Sequence, residues 1–331
     1  MSLVAQLQPT LMDLAARYGQ TPESAVIEIL TASNEMLDDM VWVEANDGTG
    51  HKTTVRTGLP RGAWRLLNYG VPAEKSATAA VRDTCGLLES YSEVDKQLYD
   101  MEQNPQEWRA SEDAAFVEGM SQNMGETILY GNSRDTPAAF TGFAPRYNDI
   151  AQTNPANKRN ILDAGGTGNN NTSIWFVVWH KDTVHGIYPK GTKGGLQIRN
   201  LGEVTDKDAN GLMHQVLRTH FVWNAGVTVR DWRAVVRIAN IDVTALTKDA
   251  SAGADLFDLL AQAAELLPRK TNGRVAIYAN RTISQFLRRQ SVKGSNVRIT
   301  TEEQGGRSIT KFDGIPIRRV DALLNTESRV V

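Results

Sequence analysis

The residues able to do chemistry are few and scattered. Histidines stand at His51, His180, His185, His214 and His220. Two imidazoles share a metal by local geometry when spaced as in HExxH or HxH, and no pair here has that spacing. That leaves only a distal pair, such as His180 with His220, for the fold to bring together. Cys85, the single cysteine, has no histidine near it in sequence, and no Gly-x-Ser-x-Gly elbow occurs. Nucleophilic catalysis therefore lacks its parts. Gly165-Gly166-Thr167-Gly168 and the run from Lys190 to Gly195 look like phosphate loops at first sight. The first lacks the Gly-Lys-Ser/Thr ending and precedes a strand; the second leads into no helix. Flexible surface loop is the expectation for both. The adjacent carboxylates Asp38 with Asp39, and Glu302 with Glu303, read as solvated faces. Basic spots at Arg288-Arg289, Lys293 and Arg318-Arg319 lack the aromatic platform of a single-strand binder and suit at most loose contact with a polyanion. The expected site is thus empty: no catalytic residue, no cofactor, no metal.

The elements confirm that emphasis on shape over chemistry. Residues 105–131 carry Trp108, Ala115, Phe116, Met120, Met124 and Ile128 at spacings of three to four, the apolar face of one helix of roughly seven turns. Gly119 and Gly125 each cost about 1 kcal/mol relative to Ala inside a helix, so close packing against the helix backbone is expected there. Before it, the spacing predicts helices at residues 7–18 and from Thr21 through Met40. Trp42–Ala45 and 52–57 read as two strands of a hairpin with its tip at Asp47–Gly50. Residues 58–80 continue extended and turn-rich. The excursion 42–84 is too polar to fold alone and must protrude, needing a partner surface to offset its ordering cost. Leu87, Leu88, Tyr91, Val94 and Leu98 suggest a Leu-rich helix. Residues 153–173 read as a flexible loop, and Ile174 to Trp179 as a strand buried on both faces. Strands follow at 217–223, 227–232 and 234–243, with a turn at Ala225-Gly226. Asp255 caps a helix closed by Pro268, 274–279 is a strand, Asn280 caps a short helix, and 297–301 pairs with 308–312 before a last strand from Gly314.

The chain has 331 residues, 41% hydrophobic and 22% charged, with a formal net charge of -2. That length favours two or three lobes, and the near-neutral charge lacks the Lys and Arg excess that a dedicated duplex binder usually shows. A lone cysteine excludes an intramolecular disulfide. Residues 1–8 lack the basic start and apolar stretch of a secretory signal, so the chain is expected to be made and folded in cytoplasm. The longest apolar run, Ile174 to Trp179, is far short of a membrane span.

This order resembles the major capsid protein of tailed bacteriophages, the Hong Kong 97 type coat fold, of the short-tailed kind. The residues carrying the resemblance are 110–131 with the exit Ile128-Leu129-Tyr130-Gly131-Asn132, Phe140-Thr141-Gly142-Phe143-Ala144 after it, Val275 through Thr282, and Phe312 through Ala322. Val229 through Arg233 and Arg237 through Ile241 are similar to strands of such coat proteins. The resemblance implies an α+β fold with an N-terminal arm (1–41), an extended loop over a neighbour (42–84), a peripheral domain (85–249) with its spine helix at 106–131, and an axial domain (250–325) whose end returns to the body. It implies hexamers and pentamers closing an icosahedral shell around double-stranded DNA, with a portal at one vertex. Localisation would be the virion capsid, assembled in the bacterial host cytoplasm. The short arm points to a separate scaffolding protein. Lys52 and Lys75 lie in the loop, but no asparagine partner stands out for a crosslink, so a non-covalent shell, with a decoration or staple protein, is expected. An encapsulin-type nanocompartment shell shares the fold; a tail or decoration subunit is the other structural alternative.

Overall fold

The computed structural model describes residues 34–151, 158–208, 210–247, 252–268, 273–291, 299–304 and 307–331. The helices expected at 7–18 and from Thr21 lie outside these residues, apart from a short final piece, α1 (Met36–Asp39). The chain forms two compact units. One comprises 87–124 and 195–224; the other 33–86, 125–194 and 225–331.

The larger unit is built on β6 (Asn171–Trp179), every residue of which is buried. The apolar run from Ile174 dictates this, since a strand apolar on both faces is stable only with both covered. Its neighbours are β10 (Val235–Asp242) and β11 (Arg274–Ala279), both antiparallel, so that Phe176 faces Val236 on one side and Ile277 on the other. On one face Ile174 and Phe176 join Val236, Ile238 and Ile277 beneath α4 (Leu256–Leu266) and α5 (Arg281–Ser291), which bury Leu256, Leu260, Ile283 and Leu287. On the other, Trp175 and Trp179 meet Phe143, Tyr147 and Tyr278 at centroid distances of 5.9–6.5 Å. Both caps read from sequence form. The Asp255 carboxylate accepts from the N–H groups of Phe257 and Asp258, and Asn280 Oδ1 accepts from Ile283 N–H at 2.9 Å. Beyond β11 come β14 (Ile315–Arg319), parallel, and the hairpin of β12 (Ile299–Gln304) with β13 (Arg307–Phe312). β7 (Val184–Tyr188) pairs with β1 (Trp42–Glu44) in parallel and with residues 226–229 of β9 (Met213–Val229).

In the smaller unit β8 (Gln197–Lys207) and residues 213–222 of β9 form a long antiparallel ribbon, bulged between Asn200 and Gly202. β4 (Gly86–Asp95) lies along the other side of β9 and leads into α2 (Lys96–Met101). Trp108 packs with Val94 and Leu98, and Phe116 stacks on Phe221 at 5.7 Å.

The long helix, α3 (Pro105–Tyr130), has the expected length and opens on proline, whose missing N–H costs nothing at that position. Trp108, Met120, Met124 and Ile128 are buried, but Ala115 is exposed. Gly125 meets the Asn34 side chain, 3.0 Å from where a Cβ would stand, whereas Gly119 faces open space. Close approach thus explains one glycine and not the other.

Several local expectations are corrected. Residues 42–57 are not one hairpin: β1 pairs with β7, while β2 (Gly50–Gly58) pairs with β3 (Ala77–Thr84). Asp47–Gly50 is therefore a turn at the root of the projection and not its tip. Leu87 to Val94 is strand β4; only Leu98 lies in the short helix. Ala225-Gly226 sits inside a continuous strand. The stretch 153–173 is not a uniform loop: beyond the undescribed 152–157 it contains β5 (Ile161–Asp163), and Asn160, Asn171, Thr172 and Ser173 are buried. Asn171 Nδ2 bonds Gly168 O, and Asn160 Nδ2 bonds Val235 O, so polar residues here cap the central strands. Gly166 is pressed between Asn171 Oδ1 and Asn240 O, 2.4 and 2.5 Å from a Cβ placed on it. Gly166→Ala is expected to lower unfolding stability by about 1–3 kcal/mol, read as a shifted urea midpoint of the unassembled chain.

Candidate assembly surfaces

The most distinctive surface is the tip of the β2–β3 hairpin. Between the strands, residues 59–76 put Leu59, Trp64, Leu66, Leu67, Tyr69 and Val71 into solvent, Trp64 completely and Leu67 at 85%. Single exposed apolar residues are ordinary; six in one projecting loop mark a surface meant to be covered. The tip is shaped by its own backbone: Gly62 N–H donates to Glu74 at 3.0 Å, Tyr69 N–H to Leu66 O at 3.2 Å, and Asn68 takes a left-handed φ of 67°. Residues 50–84 carry six Lys or Arg against two carboxylates, while 87–124 carry nine carboxylates against two bases.

The root of this hairpin is firmly held. Arg82 pairs with Asp47 at 2.9 Å and also donates to Thr49 Oγ1. Asp83 is buried and pairs with Arg146 at 2.8 Å, which in turn donates to the carbonyls of Thr141, Gly142 and Val227. Between the hairpin and the segments 145–149 and 229–233 runs a groove of about 1580 Å³, where the side chains of Arg56, Arg61 and Arg134 have no partner among the described residues. Cys85 at this root is half-buried, its thiol pushed up to about 11 by burial and then by Asp83, so it stays protonated.

Two buried ionic clusters anchor the segments that flank the body. Asp39 is sealed from solvent and pairs with Arg274 at 2.7 Å and Arg318 at 3.4 Å, while Tyr278 donates its hydroxyl to it at 2.9 Å. Burial and then this carboxylate hold the Tyr278 phenol well above its ordinary value. Asp38 is exposed as expected; Asp39 is the correction, because it lies three residues from buried Met36 on the inner face of α1, a placement that adjacency in sequence does not reveal. The second cluster centres on Glu327. Arg237 donates to it at 2.9 Å, Tyr130 and Ser173 each at 2.5 Å, and Arg237 lies 4.9 Å over the Trp175 ring. Both partners of that ion pair are about 95% buried. Asn240, at φ 58°, completes the anchoring by bonding both N–H and carbonyl of Val330.

The expected chemistry-bearing residues do not converge. His180 faces Asp182, His220 stacks on Tyr91 and faces Glu89, and His214 lies on β9. Among the described residues no three His, Cys, Asp or Glu gather as for a metal. His51 and His185 do meet, edge to face, a pair not anticipated from their separation in sequence. Arg318 and Arg319 are committed to Glu35, Asp39 and Asp321, so that basic spot is not free for a polyanion. Lys293 lies outside the described residues. What sequence reasoning missed is the apolar tip; Trp64, Leu66, Leu67 and Tyr69 within six residues of a Gly- and Pro-bounded segment were the available signal.

The family model for major capsid protein GP7 matches residues 19–331. The chain belongs to this major capsid protein family. A chain of bacteriophage Epsilon15, solved by cryo-EM, is 37% identical to this coat protein, with a TM-score of 0.79 over 100% of this chain and 99% of that one. The capsid of bacteriophage JBD30 matches at 8% identity and TM-score 0.53, covering 93% and 97% of the two chains, and so shares the fold, the Hong Kong 97 type α+β coat fold. The SrpI encapsulin of Synechococcus elongatus PCC 7942 is more distant, at 12% identity and TM-score 0.45 over 70% and 96%. No curated protein matches the sequence. This major capsid protein has its place in the virion capsid. Its buried pair should be costly to break: Glu327→Ala strands the Arg237 charge and is expected to destabilise the unassembled chain by about 3–5 kcal/mol. Tyr130→Phe removes one charge-assisted bond, about 1.5–3 kcal/mol. Urea unfolding measures both.

Proposed function

We infer that this major capsid protein assembles with copies of itself into hexamers and pentamers, which close an icosahedral shell around the phage double-stranded DNA, and that it catalyses nothing. The single observation that carries the reading is the hairpin tip, whose six large apolar side chains stand in water on an isolated chain. A soluble subunit retains such a surface when a neighbour covers it. The domain division follows the same reading: an arm at 1–41, the extended loop at 42–84 lying over an adjacent copy, a peripheral domain at 85–249 and an axial domain at 250–325. Opposite charge on 50–84 and 87–124 supports a contact in which the basic loop of one copy meets the acidic stretch of the next. Such a head-to-tail contact joins two different patches and closes a ring where its rotation closes.

A separate scaffolding protein, a portal at one vertex and a decoration or staple protein belong to the same proposal, as does a shell without covalent crosslinks. DNA would be contacted without sequence preference, since the basic spots are small. The test is a tip variant, Trp64→Ser with Leu67→Ser. Exposed positions alter folding by about 0.5 kcal/mol at most, so the urea midpoint should not move. Each lost contact of about 2 kcal/mol weakens association about thirtyfold, so particles seen by sedimentation and negative-stain microscopy should largely disappear. Normal particle yield from that variant would refute the loop's role.

A further inference from the structure

At the root of the projecting hairpin, the rings of His51 and His185 meet with centroids 5.6 Å apart and planes at 84°. His51 is the second residue of β2 and His185 the second of β7, so this contact is one of the places where the hairpin rests on the body, beside the Asp83–Arg146 pair. Two features of the geometry disfavour a proton on either ring. Nδ1 of His51 accepts a hydrogen bond from the Asn46 backbone N–H at 3.3 Å, which a protonated nitrogen cannot do. His185 is 1% exposed and neither ring nitrogen has a well-formed hydrogen bond; only the His180 backbone offers a weak attraction.

The charged groups around the pair do not offset a proton. Arg230, beyond β9, adds positive charge. Asp83 on β3 is taken by Arg146 at 2.8 Å, and Asp182, in the turn before β7, is shared between His180 at 3.5 Å and Arg230 at 3.4 Å. Burial and then these neighbouring cations lower both rings' proton affinity, that of His185 to about 4.

We propose that His51 and His185 form a proton-operated joint: neutral, they seat the hairpin on β7; charged, they repel each other and release that seat, while the Asp83–Arg146 pair still ties β3 to the body and the sheet beneath stays intact. Because the closed joint disfavours the proton, closure is fully favoured above about pH 6.5 and weakens as the pH falls toward about 4. A ring moving between those two values favours opening about 30-fold more at pH 5 than at pH 7.5. The joint belongs to the single chain and does not rest on shell formation, although an unseated hairpin would change how a copy reaches its neighbour.

Hydrogen exchange on the full-length, unassembled chain tests this, with rates corrected for the intrinsic effect of pH. The Asn46 amide, which donates to His51 Nδ1, should open about 30-fold more at pH 5 than at pH 7.5, while the amides of the β2–β3 ladder and those of 174–179 stay protected. In the double variant His51→Gln, His185→Gln that response should vanish. If loss of protection at 174–179 shows that the double variant does not fold, His51→Gln alone decides, because glutamine keeps an acceptor for Asn46; its response should be clearly smaller than wild type. A flat wild-type response, or an undiminished one in the folded variant, overturns the joint.

Discussion

A strand with no solvent face imposes a strict condition on everything around it: each polar group it carries must be answered from inside the protein. β6 meets this condition asymmetrically. Its last six residues are apolar and sandwiched between helices and aromatic rings. Its first three, Asn171-Thr172-Ser173, are polar and equally buried. Asn280 answers Thr172, Glu327 and Arg237 answer Ser173, and backbone bonds between Asn171 and Glu327 close the end of the strand. The carboxyl-terminal segment is therefore part of the core's hydrogen bonding. The ion pair that joins it is supported by further bonds, from Arg237 to Ser173 Oγ and Tyr147 O and from Tyr130 and Ser173 to Glu327, although Asn171 Oδ1 and Trp175 Nε1 on β6 are buried without a partner among the described residues.

This rigid body contrasts with the hairpin of β2 and β3, which has almost no apolar area of its own to bury along most of its length. Its order comes from the ladder between the strands and from the ties at Asp47, Asp83 and the histidine pair. A projection anchored firmly at one end and apolar at the other combines a fixed direction of approach with a contact surface. That division suits a subunit whose neighbours supply the missing half of its packing.

Much of the fold could be read from residue order because local signals and tertiary context agree. The long helix, the doubly buried strand, the Asp255 and Asn280 caps and the late hairpin all have periodicities or capping residues that no competing structure uses. The failures share a cause. Trp42–Ala45 and 52–57 each read as a strand, but strand propensity does not name a partner, and both paired elsewhere. Leu87 to Val94 has apolar residues at both helical and alternating spacings, and packing chose the strand. Asn160, Asn171 and Gly166 look like loop because asparagine and glycine usually are; here the asparagines' amides complete buried strand ends and the glycine makes room for them. Asp39 and Arg237 were unreadable as a buried acid and base, since their partners Arg274, Arg318 and Glu327 are distant in sequence.

The contrast among the tryptophans has a practical side. Trp175 and Trp179 are locked in the interior, whereas Trp64 is bathed entirely in water. Indole emission shifts to shorter wavelength as its surroundings become less polar. Among the seven tryptophans the interior rings therefore have little shift to give, the half-buried Trp42, Trp223 and Trp232 somewhat more, and the ring at the tip the most when it is covered. The chain thus carries an intrinsic optical gauge placed on the loop that a neighbour is proposed to cover, readable without attaching a dye.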